Sequence, residues 1–266
     1  MLPCRDERSI MKLTSLGAGS GFTLKNLQSN FIVEIGGKRL LIDAGTDLRH
    51  ALQARSMRYH DLHAVYISHL HFDHMGGMEF LAFCTKFDPT FVDESGQKRK
   101  LIVFIHPSMV AGLWDTLKHG CTLPNERTTL ETFFDVRPCT DGEFTFEGTK
   151  FTLVRTTHYF NGPLVAPSYG LQWQAANGKV VFLTTDTTLT MEVATIQLGS
   201  DLIFQDCETT KTPSGVHAHY THLVALPAEV KRRMWLYHYQ DGAKPDCVQD
   251  GFAGWIESGQ VFDLSA

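Results

Sequence analysis

Four residues of metal-binding type fall within six positions, His69, His71, Asp73 and His74, in the stretch from Ser68 to Gly77. Neutral imidazole and carboxylate are the ligands that borderline first-row divalent cations prefer. An alternating H-x-H-x-D-H can also divide its ligands between two cations a few ångströms apart. One or two histidines would pass as chance on a polar loop; four ligand-type residues at one loop tip do not. The flanking sequence explains how they are held. Ala64-Val-Tyr-Ile67 reads as a buried strand and Met78-Glu-Phe-Leu-Ala-Phe83 as the opening of a helix, which puts the ligands on a strand-to-helix loop.

Three more residues of the same chemistry each follow an apolar strand. His158 comes after Phe151–Thr157, and His238 after Met234-Trp-Leu-Tyr237. Asp186 comes after Lys179–Thr185, whose partner strand Ser168–Gln174 connects through Asn177-Gly178. Any one of these would pass as a satisfied polar residue. In an open two-sheet fold, however, strand ends converge at one edge, where crevices form. A further segment runs from the strand Leu202–Glu208 through a loop to Val216-His-Ala-His-Tyr-Thr-His222, and it offers Glu208, His217, His219 and His222. An imidazole backed by a carboxylate suits proton donation to an alkoxide leaving group. The plainer alternative is that these histidines cap and pack a helix over Tyr220–Lys231.

The rest of the chain is read for what it must position. Its 266 residues, 43% hydrophobic and 20% charged, suit one globular domain over 11–266 preceded by a short extension at 1–10. A net charge of -5 excludes a broad basic surface for nucleic acid. Six scattered cysteines fit reduced thiols in cytosol, the N-terminus has no signal-peptide character, and no run is apolar enough to span a membrane. Lys12–Leu16 reads as a strand entering the turn Gly17-Ala-Gly-Ser-Gly21 beneath the site. Asn30–Ile35 and Lys38–Ile42 form a hairpin about Gly36-Gly37. Asp43-Ala-Gly45 closes it, and a helix follows over 47–55. The polar segment 85–100 reads as an insertion, either a lid or a dimer contact. Leu101–Ile105 is a buried strand, His106 is structural, and Ser108 caps a helix to about His119. Ser20, Thr23, Ser29 and Asn30 lie near the same end of the sheet. Tyr159, Phe160, Phe87 and Tyr220 are candidates either to stack on a base or to fill the core.

The loop at 69–74 resembles that of the metallo-β-lactamase superfamily at every fixed position of H-x-H-x-D-H. The resemblance implies an α/β fold, an αββα sandwich of two mixed sheets flanked by helices, with a dinuclear metal site between the sheets' upper ends. Carried over, His69, His71 and His158 would bind one metal, Asp73, His74 and His238 the other, and Asp186 would bridge them, with Asp43 orienting a ligand from beneath. Zinc is the first choice from the histidine count, with manganese or iron compatible. A bridging Asp186 fits phosphodiesterases, thioesterases and lactonases of the fold and disfavours β-lactamases.

The Glu208–His segment resembles the ribonuclease Z and cyclic-phosphodiesterase branch, in which a Glu-paired histidine donates a proton. That role maps onto Glu208 with His217 or His219, although His219-Tyr-Thr departs from the branch's His-Ser-Thr. No basic, glycine-rich tRNA-binding arm is present. Gly17–Ser20, Asn26–Asn30 and the metal loop are similar to cyclic nucleotide phosphodiesterases, including the anti-Pycsar type. The resemblance implies a homodimer and a small phosphodiester substrate. It implies a reaction in which Asp73 positions a hydroxide and His217 or His219 protonates the departing oxygen. The alternatives carried forward are a ribonuclease Z-like nuclease, a thioesterase or lactonase, and a non-catalytic metal-binding sensor.

Overall fold

The computed structural model describes residues 10–161 and 164–266, without the side chains of 160, 161, 164 and 165. Cys4, the rest of the expected extension up to residue 9, and the Phe160 side chain lie outside the described residues. In the first sheet β1 (Met11–Gly17), β2 (Asn30–Ile35), β3 (Lys38–Ile42), β4 (Ala64–Ile67), β5 (Leu101–Ile105) and β6 (Phe134–Pro138) lie side by side in chain order. The second holds β7 (Glu143–Phe146), β8 (Thr149–Asn161), β9 (Leu164–Gln174), β10 (Val180–Leu183), β11 (Leu202–Asp206), β12 (Met234–Tyr237) and β13 (Gly254–Trp255), again in order. The last strand, β14 (Val261–Asp263), returns to the first sheet and pairs antiparallel with β1.

Each sheet changes character partway across. The ladders β14-β1-β2-β3 and β7-β8-β9-β10 are antiparallel, whereas β3-β4-β5-β6 and β10-β11-β12-β13 are parallel. The parallel strands carry the unbroken apolar runs seen in the sequence, because helices cover one face and the facing sheet the other. Aromatic rings join the two sheets into one core. Phe31 of β2 meets Tyr237 of β12 edge-on at 5.0 Å, and Phe104 of β5 stacks on Phe144 of β7 at 4.2 Å.

The helices are α1 (Leu48–Ala54), α2 (Phe72–Met75), α3 (Met78–Phe87), α4 (Val110–Cys121), α5 (Leu130–Phe133), α6 (Met191–Leu198), α7 (Tyr220–Val224) and α8 (Ala228–Lys231). Leu52, Leu81, Leu113 and Leu117 from α1, α3 and α4 join the core of the first sheet. Leu223 and Val230 pack on β11 and β12, and Val193 packs on Phe182 of β10. The layers are therefore helix, sheet, sheet, helix, as the sequence resemblance implied.

Two local expectations change. The helix expected over Tyr220–Lys231 is two short ones, because Pro227 lacks the N–H that an unbroken helix needs. Ser108 does not cap the helix; it lies in a 3-10 turn in which its own N–H donates to the His106 side chain, and His106 also stacks on Tyr169 at 4.1 Å. Residues 85–100 do not reach the crevice that holds the ligand-type side chains. Phe91 instead packs under the Arg99 guanidinium at 3.8 Å, and Lys38 pairs with Glu94 at the segment's tip.

Candidate metal centre

The strand β4 is buried throughout and is followed by Ser68, whose backbone N–H and hydroxyl donate to the two oxygens of Asp43, each at 2.8 Å. The chain then turns through His69 and His71 into the single turn α2, which carries Asp73 and His74. Gly45 lets this loop sit close: a Cβ there would lie 2.4 Å from the Asp73 carbonyl oxygen. The second sheet delivers its residues differently. His158 falls at a β-bulge, where the pairing of β8 with β9 shifts between Thr157 and Tyr159, and the extra residue re-aims its side chain into the crevice. Asp186 and His238 lie just past β10 and β12. Asp43, Thr185 and His238 all adopt positive φ, of 62°, 52° and 65°. Non-glycine residues take up this costly conformation where the surrounding structure over-determines it.

All seven residues named for the metals converge at one place. The two oxygens of Asp186 face two different groups. Oδ2 lies 3.7 Å from His69 Nε2 and 3.6 Å from His158 Nε2, and His71 Nδ1 is 3.0 Å from the same His158 nitrogen. Oδ1 lies 3.2 Å from His74 Nε2 and 3.4 Å from His238 Nε2, and both of those nitrogens are 3.3 Å from Asp73 Oδ2.

Hydrogen bonds behind the rings select their tautomers. His74 Nδ1 donates to Asp43 at 2.7 Å, and His158 Nδ1 donates to the Val216 carbonyl at 2.8 Å. Ser68 Oγ, having given its proton to Asp43, accepts from His69 Nδ1 at 3.0 Å. His238 Nδ1 lies 3.3 Å from Asp206. With Nδ1 turned outward, Nε2 is the nitrogen that each of these rings directs at the centre, the one a metal would take in place of a proton. Nε2 of His69 and His74 and Oδ1 of Asp186 are buried with no hydrogen-bond partner. Burial, reinforced by His74 and the other neighbouring histidines, outweighs Asp186 and pushes His69 well below its ordinary pKa. At His74 and His238 burial also disfavours charge, but the surrounding carboxylates, Asp186 foremost, outweigh it and raise both, His238 to about 10. Asp186 titrates well below the usual carboxylate range, because His238, His74 and His217 outweigh its burial. Converging ligand nitrogens and oxygens in a field that favours positive charge fit divalent cations.

The expected proton donor needs correction on two points. His219 does not face the crevice: Nε2 donates to the Thr210 carbonyl and Nδ1 accepts from Thr221, both at 2.8 Å, so the ring caps α7. His222 is exposed on that helix. His217 does line the crevice, but the carboxylate behind it is Asp206, 3.0 Å from its Nδ1, and not Glu208. Glu208 lies in the crevice wall, where its carboxylate accepts from the Ser214 N–H at 2.9 Å. The sequence reading missed Asp206. It ends an apolar strand just as the named ligands do, and that signal was available.

The centre forms the floor of a cavity of about 710 Å3 whose wall includes Ser20, Gly21 and Tyr159. Of the other small polar residues expected near it, Thr23, Ser29 and Asn30 do not line it. Tyr220 is buried against Trp255, and Phe87 stacks on Phe83 away from the cavity.

Comparison with solved structures places this architecture in the metallo-β-lactamase fold. YhfI from Bacillus subtilis, a protein of that fold, superposes with a TM-score of 0.71 at 18% identity, covering 96% of this chain and 99% of its own. A diphosphatase of the PhnP family superposes with a TM-score of 0.74 at 17% identity, over 96% and 99%. Among sequences, the anti-Pycsar protein Apyc1 of Paenibacillus harenae is 33% identical over 87% of this chain and 90% of its own. The model of that family, anti-Pycsar protein Apyc1, matches residues 11–262, a span that takes in both sheets and every residue of the centre, and the chain belongs to this family.

Proposed function

We propose that this metal-dependent hydrolase is a phosphodiesterase for a small phosphodiester, a 3′,5′-cyclic nucleotide, and that it works with two divalent cations, zinc first among them. The observation that carries the reading is the division of Asp186, with Oδ2 towards His69 and His158 and Oδ1 towards His74 and His238. His69, His71, His158 and Oδ2 would hold one cation, and Asp73, His74, His238 and Oδ1 the other. A cation pair there supplies Lewis acidity, neutralising the diester and lowering the pKa of water towards neutrality. Imidazole-rich sites favour zinc, and manganese or iron fit the same donors.

The chain's own groups carry the proton traffic. Asp73 faces the cavity and accepts a hydrogen bond from the attacking water or hydroxide, aligning it on phosphorus. His217, held at Nδ1 by Asp206, turns its other nitrogen to the cavity and donates a proton to the ribose oxygen as its bond to phosphorus breaks. A net charge of -5 favours a small substrate over an extended nucleic acid. A cytosolic homodimer completes the reading; the five described cysteines are free thiols, as a reducing compartment favours.

The test is turnover of adenosine and uridine 3′,5′-cyclic phosphates beside a thioester, a lactone and a precursor tRNA. Cyclic nucleotide cleavage should vanish with chelator and return with zinc or manganese. Acyl cleavage alone would overturn the substrate class, and trimming of the tRNA alone would favour the ribonuclease Z-like alternative.

A further inference from the structure

The outer end of the cavity differs in chemistry from its floor. Phe22, on the loop between β1 and β2, is 94% exposed, and Phe72, the first residue of α2, is 64% exposed, yet both line the cavity. Neither has an aromatic partner among the described residues. The other aromatic residue of the wall, Tyr159, is already stacked on His71 at 5.5 Å and 18°. Two open aromatic faces thus stand at the mouth of a cavity whose floor is a cation centre.

The exposure of Phe22 is imposed by its loop. Asp241 accepts three hydrogen bonds from that loop, from Thr23 Oγ1 at 2.6 Å, the Leu24 N–H at 2.7 Å and Asn26 Nδ2 at 2.7 Å. Gly21, next to Phe22, touches the metal loop so closely that a Cβ would lie 2.7 Å from Asp73 Oδ2. The loop is therefore held between Asp241 and Asp73, and the ring stays out of the core. Leaving such a ring in water forgoes the stabilisation that burying it would bring.

We propose that Phe22 and Phe72 form an aromatic platform for the base of a nucleotide substrate, and that Asp241 is a positioning residue that holds the Phe22 side of it. This rests on the phosphodiesterase reading. A diester anchored at the floor places its base one sugar further out, towards the mouth. Every base has a π-face, so stacking tolerates purines and pyrimidines alike. The platform thus predicts affinity for nucleotides in general, with purines favoured by their larger faces.

The experiment compares kcat and KM of the wild-type protein, Phe22→Ala, Phe22→Trp, Phe72→Ala and Asp241→Ala. The substrates are adenosine and uridine 3′,5′-cyclic phosphates and the base-less 1-O-methylribose 3′,5′-cyclic phosphate. Phe22→Ala should lose about tenfold to hundredfold in kcat/KM on the nucleotides, mainly through KM, which is the range of one base stacked on one ring. The loss on the base-less diester should be at least tenfold smaller. Phe22→Trp should keep nucleotide turnover, and Asp241→Ala should raise KM with kcat retained. Equal losses on all three substrates, or none on the nucleotides, would overturn the platform while leaving the phosphodiesterase standing. If Phe22→Ala changed the oligomeric state by light scattering and left nucleotide KM intact, the rim would be an interface between copies. Wild-type protein inert on every diester would sink the activity itself, and calorimetric binding of adenosine 5′-monophosphate to wild type and Phe22→Ala would then decide the platform alone.

Discussion

The first sheet brings four ligand-type residues to the centre from one loop after β4, within six positions of sequence. The second brings three, singly, from the bulge in β8 and from the ends of β10 and β12, spread from His158 to His238. Beneath each contribution lies one buried carboxylate. Asp43 binds the backbone of Ser68 and the rear of His74; Asp206 binds the backbone of Thr187 and the rear of His217, and lies beside His238. The two carboxylates repeat one device in two sheets of matching ladder order. They differ in what they steady: Asp43 holds only the ligand loop, whereas Asp206 steadies a ligand and, in addition, a cavity histidine outside the seven. Under the proposed function, one sheet serves metal retention and the other serves proton transfer as well.

That contrast breaks most visibly at His217. His217→Asn should lower kcat by about 10²–10⁴ on a cyclic nucleotide, whose leaving ribose oxygen needs a proton. On bis(p-nitrophenyl) phosphate, whose leaving group needs none, the loss should be within about threefold. His219→Ala should instead cost about 0.5–2 kcal/mol of stability as a lost cap, with kcat retained. A leaving-group signature at His219, read from the same two substrates, would refute the division.

The carboxylates themselves sharpen it. Asp43→Asn should weaken metal retention by about 10–100-fold, read as the chelator concentration that halves activity, and should affect both substrates alike. Asp206→Asn should show the same loss of retention together with the leaving-group signature of His217→Asn. Identical behaviour in the two variants would mean that the sheets are equivalent after all.

The smallest effect lies away from both carboxylates and serves as a reference for proton linkage in the first sheet. Half-buried His63, before β4, is pushed down to about 4 by desolvation and by Lys38, Arg99 and Arg39. Its unfolded value is about 6.5. Between those values the unfolded chain binds more protons, so the stability that neutral His63 contributes is present above about pH 6.5 and is lost as pH falls towards 4. After solvent screening the loss should be on the order of 1 kcal/mol. Denaturant midpoints for His63→Gln should fall less steeply over that window than those of the wild type, and equal slopes would show that His63 is not the group responsible.

The same contrast explains what was legible beforehand. The cluster at 69–74 needs only one loop and is plain in any reading of the chain. His158, Asp186 and His238 have strand ends as their only local signal, and the family pattern was needed to join them. The bulge that turns His158 inward breaks the two-residue alternation and leaves no trace in composition. Asp206 carries a weaker local signal than Glu208, two residues on, which matches the expected acid better. Whether it or Glu208 backs the histidine depends on how Val216–His219 folds back along the end of β11, a non-local pairing seen in the Glu208–His219 bridge. Pro227 was a breaker in plain view. Phe22 shows nothing in sequence that separates it from a core aromatic; only its loop's attachment to Asp241 does.

The crossing of β14 to the first sheet has a consequence for how the molecule fails. The last strand pairs with the first, and Leu264 donates to the Met11 carbonyl at 2.8 Å, so the chain's far end straps the two sheets together across the seam that the ligands share. A cation held at the candidate centre would be a second strap between the sheets. Loosening either one allows the sheets to part slightly with their own ladders intact. Enzymatic turnover is then the most sensitive gauge of sheet docking, and it should fade during heating before circular dichroism records any loss of strand.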